Sequence, residues 1–302
     1  MDSRNFKVMP KRVRAEPSAS YPLSPEQIQF YRDNGYLVIK KLIGIPALNS
    51  YRQRFTDVCE GRVEKGRVTV IKDRALAQNH SRPEDYINKI QELLFDDVFS
   101  TYSEDPRLLH IVAQLIGDDV TAVNSMLINK PPGTNEHPPH QDLFYFPFRP
   151  ADKIVATWTP IDPVSRDNGC LYMVPGSHQP GILYEHDEQE NSAKLFFFGI
   201  VNSGEVAPEH RRVYLEMEPG DTVFFQSNIV HGSRPNVSKT YRKAMTSHYA
   251  NSSCYYINVY GTKQEKLARQ MEAELRRRGS ELSYVDTWRI KTKQVRGVRS
   301  NL

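Results

Sequence analysis

Pro219-Gly220-Asp221-Thr222-Val223-Phe224-Phe225 compresses a turn and a strand into seven residues. Proline, glycine and aspartate supply the turn, and the β-branched and aromatic run that follows suits a pleated, half-buried strand. The pattern recurs on the N-terminal side. Pro131-Pro132-Gly133, Asp167-Asn168-Gly169 and Pro175-Gly176 interrupt the chain, and the runs 120–129, 154–161, 170–174, 221–225 and 243–250 read as strands. Short strands at this spacing, from about 118 to 260, predict a β-sandwich or barrel.

Helices are expected on either side of this region. Ser24 is a good N-cap, Pro25 suits the first helical position, and Gln27 completes a capping box, so a helix runs from there to Gly35. A short strand follows at Tyr36–Ile39. Residues 46–59 carry Leu48, Tyr51, Phe55 and Val58 on one helical face. A third helix starts at the Asp105-Pro106 cap, stops at Gly117, and presents Leu108, Leu109, Val112 and Leu115. Residues 262–278 form a fourth, whose terminal Arg276, Arg277 and Arg278 suit the negative end of the helix dipole. Residues 60–88 are polar and give no assignment. Residues 1–20 read as a loose tail. Residues 21–302 read as one domain, because no linker-like stretch divides them.

The composition is that of an ordinary folded protein, with 39% hydrophobic and 25% charged residues among 302. The net charge of +4 is mild and the charges are well mixed, which argues against a nucleic-acid binder. Three scattered cysteines without a CxxC pair argue against a thiolate zinc site or a disulfide framework. No apolar run is long enough to cross a membrane as a helix.

The chemistry concentrates in His137-Pro138-Pro139-His140-Gln141-Asp142. On a strand, residues two apart share a face, so His140 and Asp142 converge while Gln141 points away. With nine histidines in the chain, one such His-x-Asp is expected by chance about as often as not. A third ligand raises its weight. His231 follows the strand after Gly220-Asp221, and Gly232 beside it favours close approach of a ligand. Two imidazoles and one carboxylate with an open face make the ligand set of non-haem iron oxygenases. Arg242 stands eleven residues beyond His231. That spacing fits a strand, a turn and a return strand, and a guanidinium clamps a carboxylate through two parallel hydrogen bonds.

Longer stretches carry a more specific signal. Asn34-Gly35-Tyr36-Leu37-Val38-Ile39-Lys40, Met126-Leu127-Ile128-Asn129-Lys130-Pro131-Pro132, His140-Gln141-Asp142-Leu143, Tyr145-Phe146-Pro147-Phe148-Arg149-Pro150 and Ile229-Val230-His231-Gly232-Ser233 together resemble the phytanoyl-CoA dioxygenase family. The resemblance implies a mainly β fold with flanking helices, built on a double-stranded β-helix (jelly-roll) core. It implies His140, Asp142 and His231 as Fe(II) ligands and Arg242 as the 2-oxoglutarate anchor, with further co-substrate contacts from Lys89, Met126, Trp158 and Ser233. His178 reads as a supporting or structural histidine rather than a ligand.

The implied reaction uses dioxygen and 2-oxoglutarate to hydroxylate carbon 2 of a branched, phytanoyl-type acyl-CoA in fatty-acid α-oxidation, with ascorbate open as an auxiliary reductant. Phe144, Tyr145, Phe146 and Phe148 suit either an apolar acyl path or core packing. The end of the chain, Ser300-Asn301-Leu302, is similar to a serine-lysine-leucine peroxisomal tail with asparagine in place of the basic residue. It implies a peroxisome and an import receptor; an ordinary chain end implies the cytoplasm. Two other readings use the same residues: a sibling hydroxylase acting on another small lipid or metabolite, and a non-catalytic jelly-roll binding protein. A zinc hydrolase would leave Arg242 without a role.

Overall fold

The computed structural model describes residues 20–188 and 197–298. The expected tail, apart from Ser20, and the Ser300-Asn301-Leu302 terminus lie outside the described residues.

Local signals set the first elements. Helix α1 spans Pro25–Asn34, with the Ser24 hydroxyl accepting from Gln27 N and the Gln27 amide oxygen accepting from Ser24 N. It ends at Gly35 in the left-handed region, and a Cβ there would meet the His178 ring at 2.5 Å. Helices α2 (Ile45–Cys59), α3 (Pro106–Ile116, capped by Asp105) and α4 (Glu265–Arg277) fall where the periodicity places them.

The two main sheets are built from β1 Tyr36–Ile39, β2 Thr69–Lys72, β3 Ile87–Gln91, β4 Val120–Lys130, β5 His137–His140, β6 Ile154–Pro160, β7 Leu171–Met173, β8 Val213–Leu215, β9 Thr222–Gln226, β10 His231–Ser233, β11 Arg242–Asn251 and β12 Lys293–Arg296, and two short ribbons pair Phe148–Arg149 with Tyr255–Tyr256 and His186–Glu188 with Phe198–Ile200. The unassigned stretch 60–88 supplies β2 and the start of β3, along an edge where β2 is at most half-buried.

Two antiparallel sheets face each other. The major sheet runs β1-β9-β6-β11-β4-β3-β2, with β12 also on β4; the minor sheet runs β8-β7-β10-β5. The period of two in each major strand separates two apolar layers. Phe224, Met245, Leu127 and Val155 point outward beneath Tyr51 and Phe55 of α2 and Leu108 and Val112 of α3. Val223, Phe225, Trp158 and Ala244 point inward against Leu171, Met173 and Leu215 of the minor sheet. This is a jelly-roll core with helices covering one face. The inner face of β4 differs from its outer face: Met126 and Ile128 are half-exposed, while Ser125, Leu127 and Asn129 are buried.

Candidate metal and co-substrate site

His140 closes β5, and His231 opens the adjacent β10 directly opposite it. This pairing brings their rings to 4.2 Å between centroids. Strand β5 ends at His140, so Asp142 is not a strand residue; it begins a single 3-10 turn. Gln141 remains extended (φ −122°, ψ 125°), which carries the alternation one residue past the strand. Asp142 Oδ1 therefore reaches the same point, 3.4 Å from His140 Nε2 and 3.7 Å from His231 Nε2. One ligating atom from each of the three lies within 4.8 Å of the others.

The protonation states suit a cation. His140 Nδ1 faces the Pro138 carbonyl at 2.9 Å and His231 Nδ1 faces the Ile229 carbonyl at 3.1 Å. Each carbonyl accepts the ring proton there and leaves Nε2 with its lone pair toward Asp142. Burial, helped by His140, lowers the His231 pKa to about 4, so the ring is neutral at pH 7. Burial alone would raise the Asp142 carboxyl. The neighbouring His231 and His248 overcome this, and Asp142 stays ionised well below the usual carboxylate range.

Side chains that the sequence reading passed over hold this segment. Gln141 is fully buried, donates to the Asn228 and Ile182 carbonyls at 2.7 and 2.9 Å, and accepts from Tyr184 N at 2.8 Å. His186 Nε2 accepts the Gln141 backbone N–H at 3.1 Å, between the two ligand positions. Its ring stacks on Phe144, and burial lowers its pKa to about 4, which keeps the accepting nitrogen free. No local pattern marks His186, which opens a short strand, His186–Glu188, 45 residues beyond Gln141. His248 also went unread, although a signal existed. It lies on β11 at even spacing from Arg242 and so faces the same side. Its Nε2 is 2.9 Å from Asp142 Oδ2.

Arg242 opens β11 and is 2% exposed. Its strand belongs to the major sheet and that of His231 to the minor sheet. The chain crosses from the minor to the major sheet between them, and strand parity puts both on inward-facing positions. Directly paired residues share a face. Lys130 pairs with Arg242; Lys89, Ile128 and Ala244 form the next row; Met126, Thr246 and Trp158 form the row beyond. Lys89, Met126, Trp158 and Arg242 thus all lie on the inner face. Ser233, two residues beyond His231, accepts from Lys130 Nζ at 3.0 Å. Lys130, directly paired with Arg242, is itself buried.

The interior of this face holds polar groups without protein partners. Among the described residues, Nε and Nη1 of Arg242 and Nε1 of Trp158 are buried and meet no acceptor. The guanidinium carbon lies 5.3 Å from the Trp158 ring. Burial lowers the Arg242 pKa to about 10, which still leaves it charged at pH 7. A buried, charged guanidinium with unmatched donors fits an incoming carboxylate, the need of one end of 2-oxoglutarate. Two imidazoles and a carboxylate fit a ferrous ion.

Other expectations change. Gly232 does not make room for a ligand. A Cβ there would strike the Tyr172 hydroxyl at 2.3 Å on the far side of the sheet. His178 is structural: its Nε2 meets the Arg32 carbonyl at 2.8 Å, tying its loop to α1. Phe144, Phe146 and Phe148 are buried core packed with Trp288 and Leu267, which favours core packing over an open acyl path. All three cysteines are free. No helix among the described residues is long and apolar enough to cross a membrane.

Comparison with known proteins places this geometry. The family model for phytanoyl-CoA dioxygenase matches residues 31–244. A "Probable phytanoyl-CoA dioxygenase" of Caenorhabditis elegans is 42% identical over 300 residues, covering 93% of this chain and 95% of that protein. "Phytanoyl-CoA dioxygenase, peroxisomal" of Rattus norvegicus is 40% identical over 290 residues, covering 93% and 85%. In fold, the chain is similar to the non-heme alpha ketoglutarate dependent carbocyclase SnoK from nogalamycin biosynthesis, with a TM-score of 0.60 at 22% identity, over 80% of this chain and 90% of that one. The matched family segment contains the His-Asp-His cluster and the buried arginine, and the chain belongs to the phytanoyl-CoA dioxygenase family of 2-oxoglutarate-dependent, non-haem iron enzymes.

Proposed function

We propose that the chain hydroxylates carbon 2 of a branched-chain, phytanoyl-type acyl-CoA, using Fe(II), 2-oxoglutarate and dioxygen, as a step of fatty-acid α-oxidation. One observation carries the co-substrate part: a buried guanidinium with unmatched donors shares an interior with the His-Asp-His cluster. The substrate part rests on the identity to the two phytanoyl-CoA dioxygenases. A peroxisomal location is proposed on the name of the rat relative.

In this reading His140, Asp142 and His231 hold the metal. Bound iron would supply the activation of dioxygen, one oxygen atom converting the C–H bond into C–OH and the other entering succinate as 2-oxoglutarate loses carbon dioxide. The protein contributes position and exclusion of water. Arg242 takes the distal carboxylate of 2-oxoglutarate by two charge-assisted hydrogen bonds. Trp158 offers its indole N–H and Ser233 its hydroxyl nearby. Met126 and Lys89 line the same face. His231, with its pKa lowered to about 4, is free of a competing proton at pH 7 and ready to accept a cation.

The test is succinate release with phytanoyl-CoA, with straight-chain acyl-CoA and with the free acid. Release coupled to 2-hydroxyphytanoyl-CoA formation supports the proposal. Coupled turnover confined to a substrate without CoA refutes the substrate assignment and leaves the iron site standing.

A further inference from the structure

We infer that His248 is a positioning residue that holds one oxygen of Asp142 and leaves the other to the metal. The inference rests on the iron reading above. The two carboxylate oxygens have different neighbours. Oδ1 faces the ligand nitrogens of His140 and His231. Oδ2 lies 2.9 Å from His248 Nε2, a hydrogen-bond distance.

His248 is buried, and its ring stands edge-on to Phe146 at 5.1 Å, which fixes its plane. Its other nitrogen, Nδ1, is buried without a partner among the described residues. An unmatched lone pair there costs less than an unmatched N–H beside a carboxylate left without its donor, so the proton belongs on Nε2. With that proton in place, Nε2 has no lone pair for a metal, and His248 is not a fourth ligand.

The consequence is a count of coordination positions. A carboxylate binds a cation through one oxygen or both. A six-coordinate ion with two imidazoles, a singly bound carboxylate and a chelating keto-acid keeps one position for dioxygen. A doubly bound carboxylate would fill it. The hydrogen bond to Oδ2 disfavours that second mode and orients Oδ1, as partners behind metal ligands do elsewhere.

The test uses Co(II) as a spectroscopic probe on the full chain and on His248→Leu, His248→Asn and His248→Gln. Glutamine carries an N–H about as far from the backbone as Nε2; asparagine stops near Nδ1. We expect Leu and Asn to lose roughly 10–100-fold in Co(II) affinity and to change the visible absorption of the bound ion. Gln should retain native affinity and spectrum. Native Co(II) affinity and spectrum in the Leu and Asn variants would overturn the inference. So would a Gln variant as impaired as Asn, which would show that only the shape of the imidazole matters. If Leu does not fold, the Asn–Gln pair decides. Failure of the native protein to bind Co(II) or Fe(II) would instead overturn the iron reading itself.

Discussion

The two sheets that enclose the site hold their functional side chains by different means. In the major sheet, β4 and β11 run 11 and 10 residues. Their outer faces lie under α2 and α3. Ladder register alone then fixes Arg242, Lys130, Met126 and Trp158. In the minor sheet the strands run three or four residues. So short a ladder fixes little, and side chains finish the task. Gln141 ties the metal-ligand segment to Asn228 and Tyr184, His186 caps the Gln141 N–H, and the Ser177 hydroxyl accepts from Val230 N beside His231. The proposed anchor is a product of sheet register, and the proposed ligands are products of side-chain hydrogen bonds around them.

Substitutions on either side can break this division. The largest effect is expected from His231→Ala, which removes a minor-sheet ligand. Turnover and Fe(II) binding should both vanish while circular dichroism shows a folded chain. Phe224→Ala, on the outer face of the major sheet, should cost about 3–5 kcal/mol of stability by leaving a cavity. Denaturant unfolding checks this, and Fe(II) affinity should stay native because no ligand depends on that layer.

Arg242→Ala should weaken 2-oxoglutarate by about 3 kcal/mol, roughly a hundredfold, with Fe(II) affinity unchanged. Gln141→Ala should behave in the opposite way. It strands the Tyr184 N–H and costs about 2 kcal/mol, and Fe(II) affinity falls while the 2-oxoglutarate requirement of the metal-loaded enzyme holds.

The smallest effect is that of pH. His186 and His231 are lowered to about 4 by burial, while an unfolded chain protonates them near 6.5. Below that value the unfolded state takes up protons that the fold refuses. Stability of the metal-free protein therefore falls as pH drops from about 6.5 toward 4. The loss is on the order of 1 kcal/mol between pH 7 and 6, and thermal melts across that range measure it.

The same division explains what the sequence disclosed. Long strands of the major sheet carry enough alternation to be read, and turn residues mark their ends, so 120–129, 154–161 and 243–250 lie within a residue or two of β4, β6 and β11. The helix caps at Ser24 and Asp105 act within four residues and were equally plain. Residues 60–88 hid β2, because a half-exposed edge strand needs no apolar alternation. In the site, His140, Asp142, His231 and Arg242 stand out by residue type and spacing, and they face one interior. His186 and Gln141 act through partners more than 40 residues away, and no window of sequence contains both sides of such a bond. His248 and Lys130 lay within reach, since strand parity already placed them on the face of Arg242 and Met126.

Anaerobic titration of Fe(II) and 2-oxoglutarate into the native chain and into Arg242→Ala tests most directly whether cluster and guanidinium form one site. The account predicts a visible absorption band that needs both additions in the native chain and that demands roughly a hundredfold more 2-oxoglutarate in the variant. A native chain whose 2-oxoglutarate binding ignores both the metal and the loss of Arg242 would contradict it.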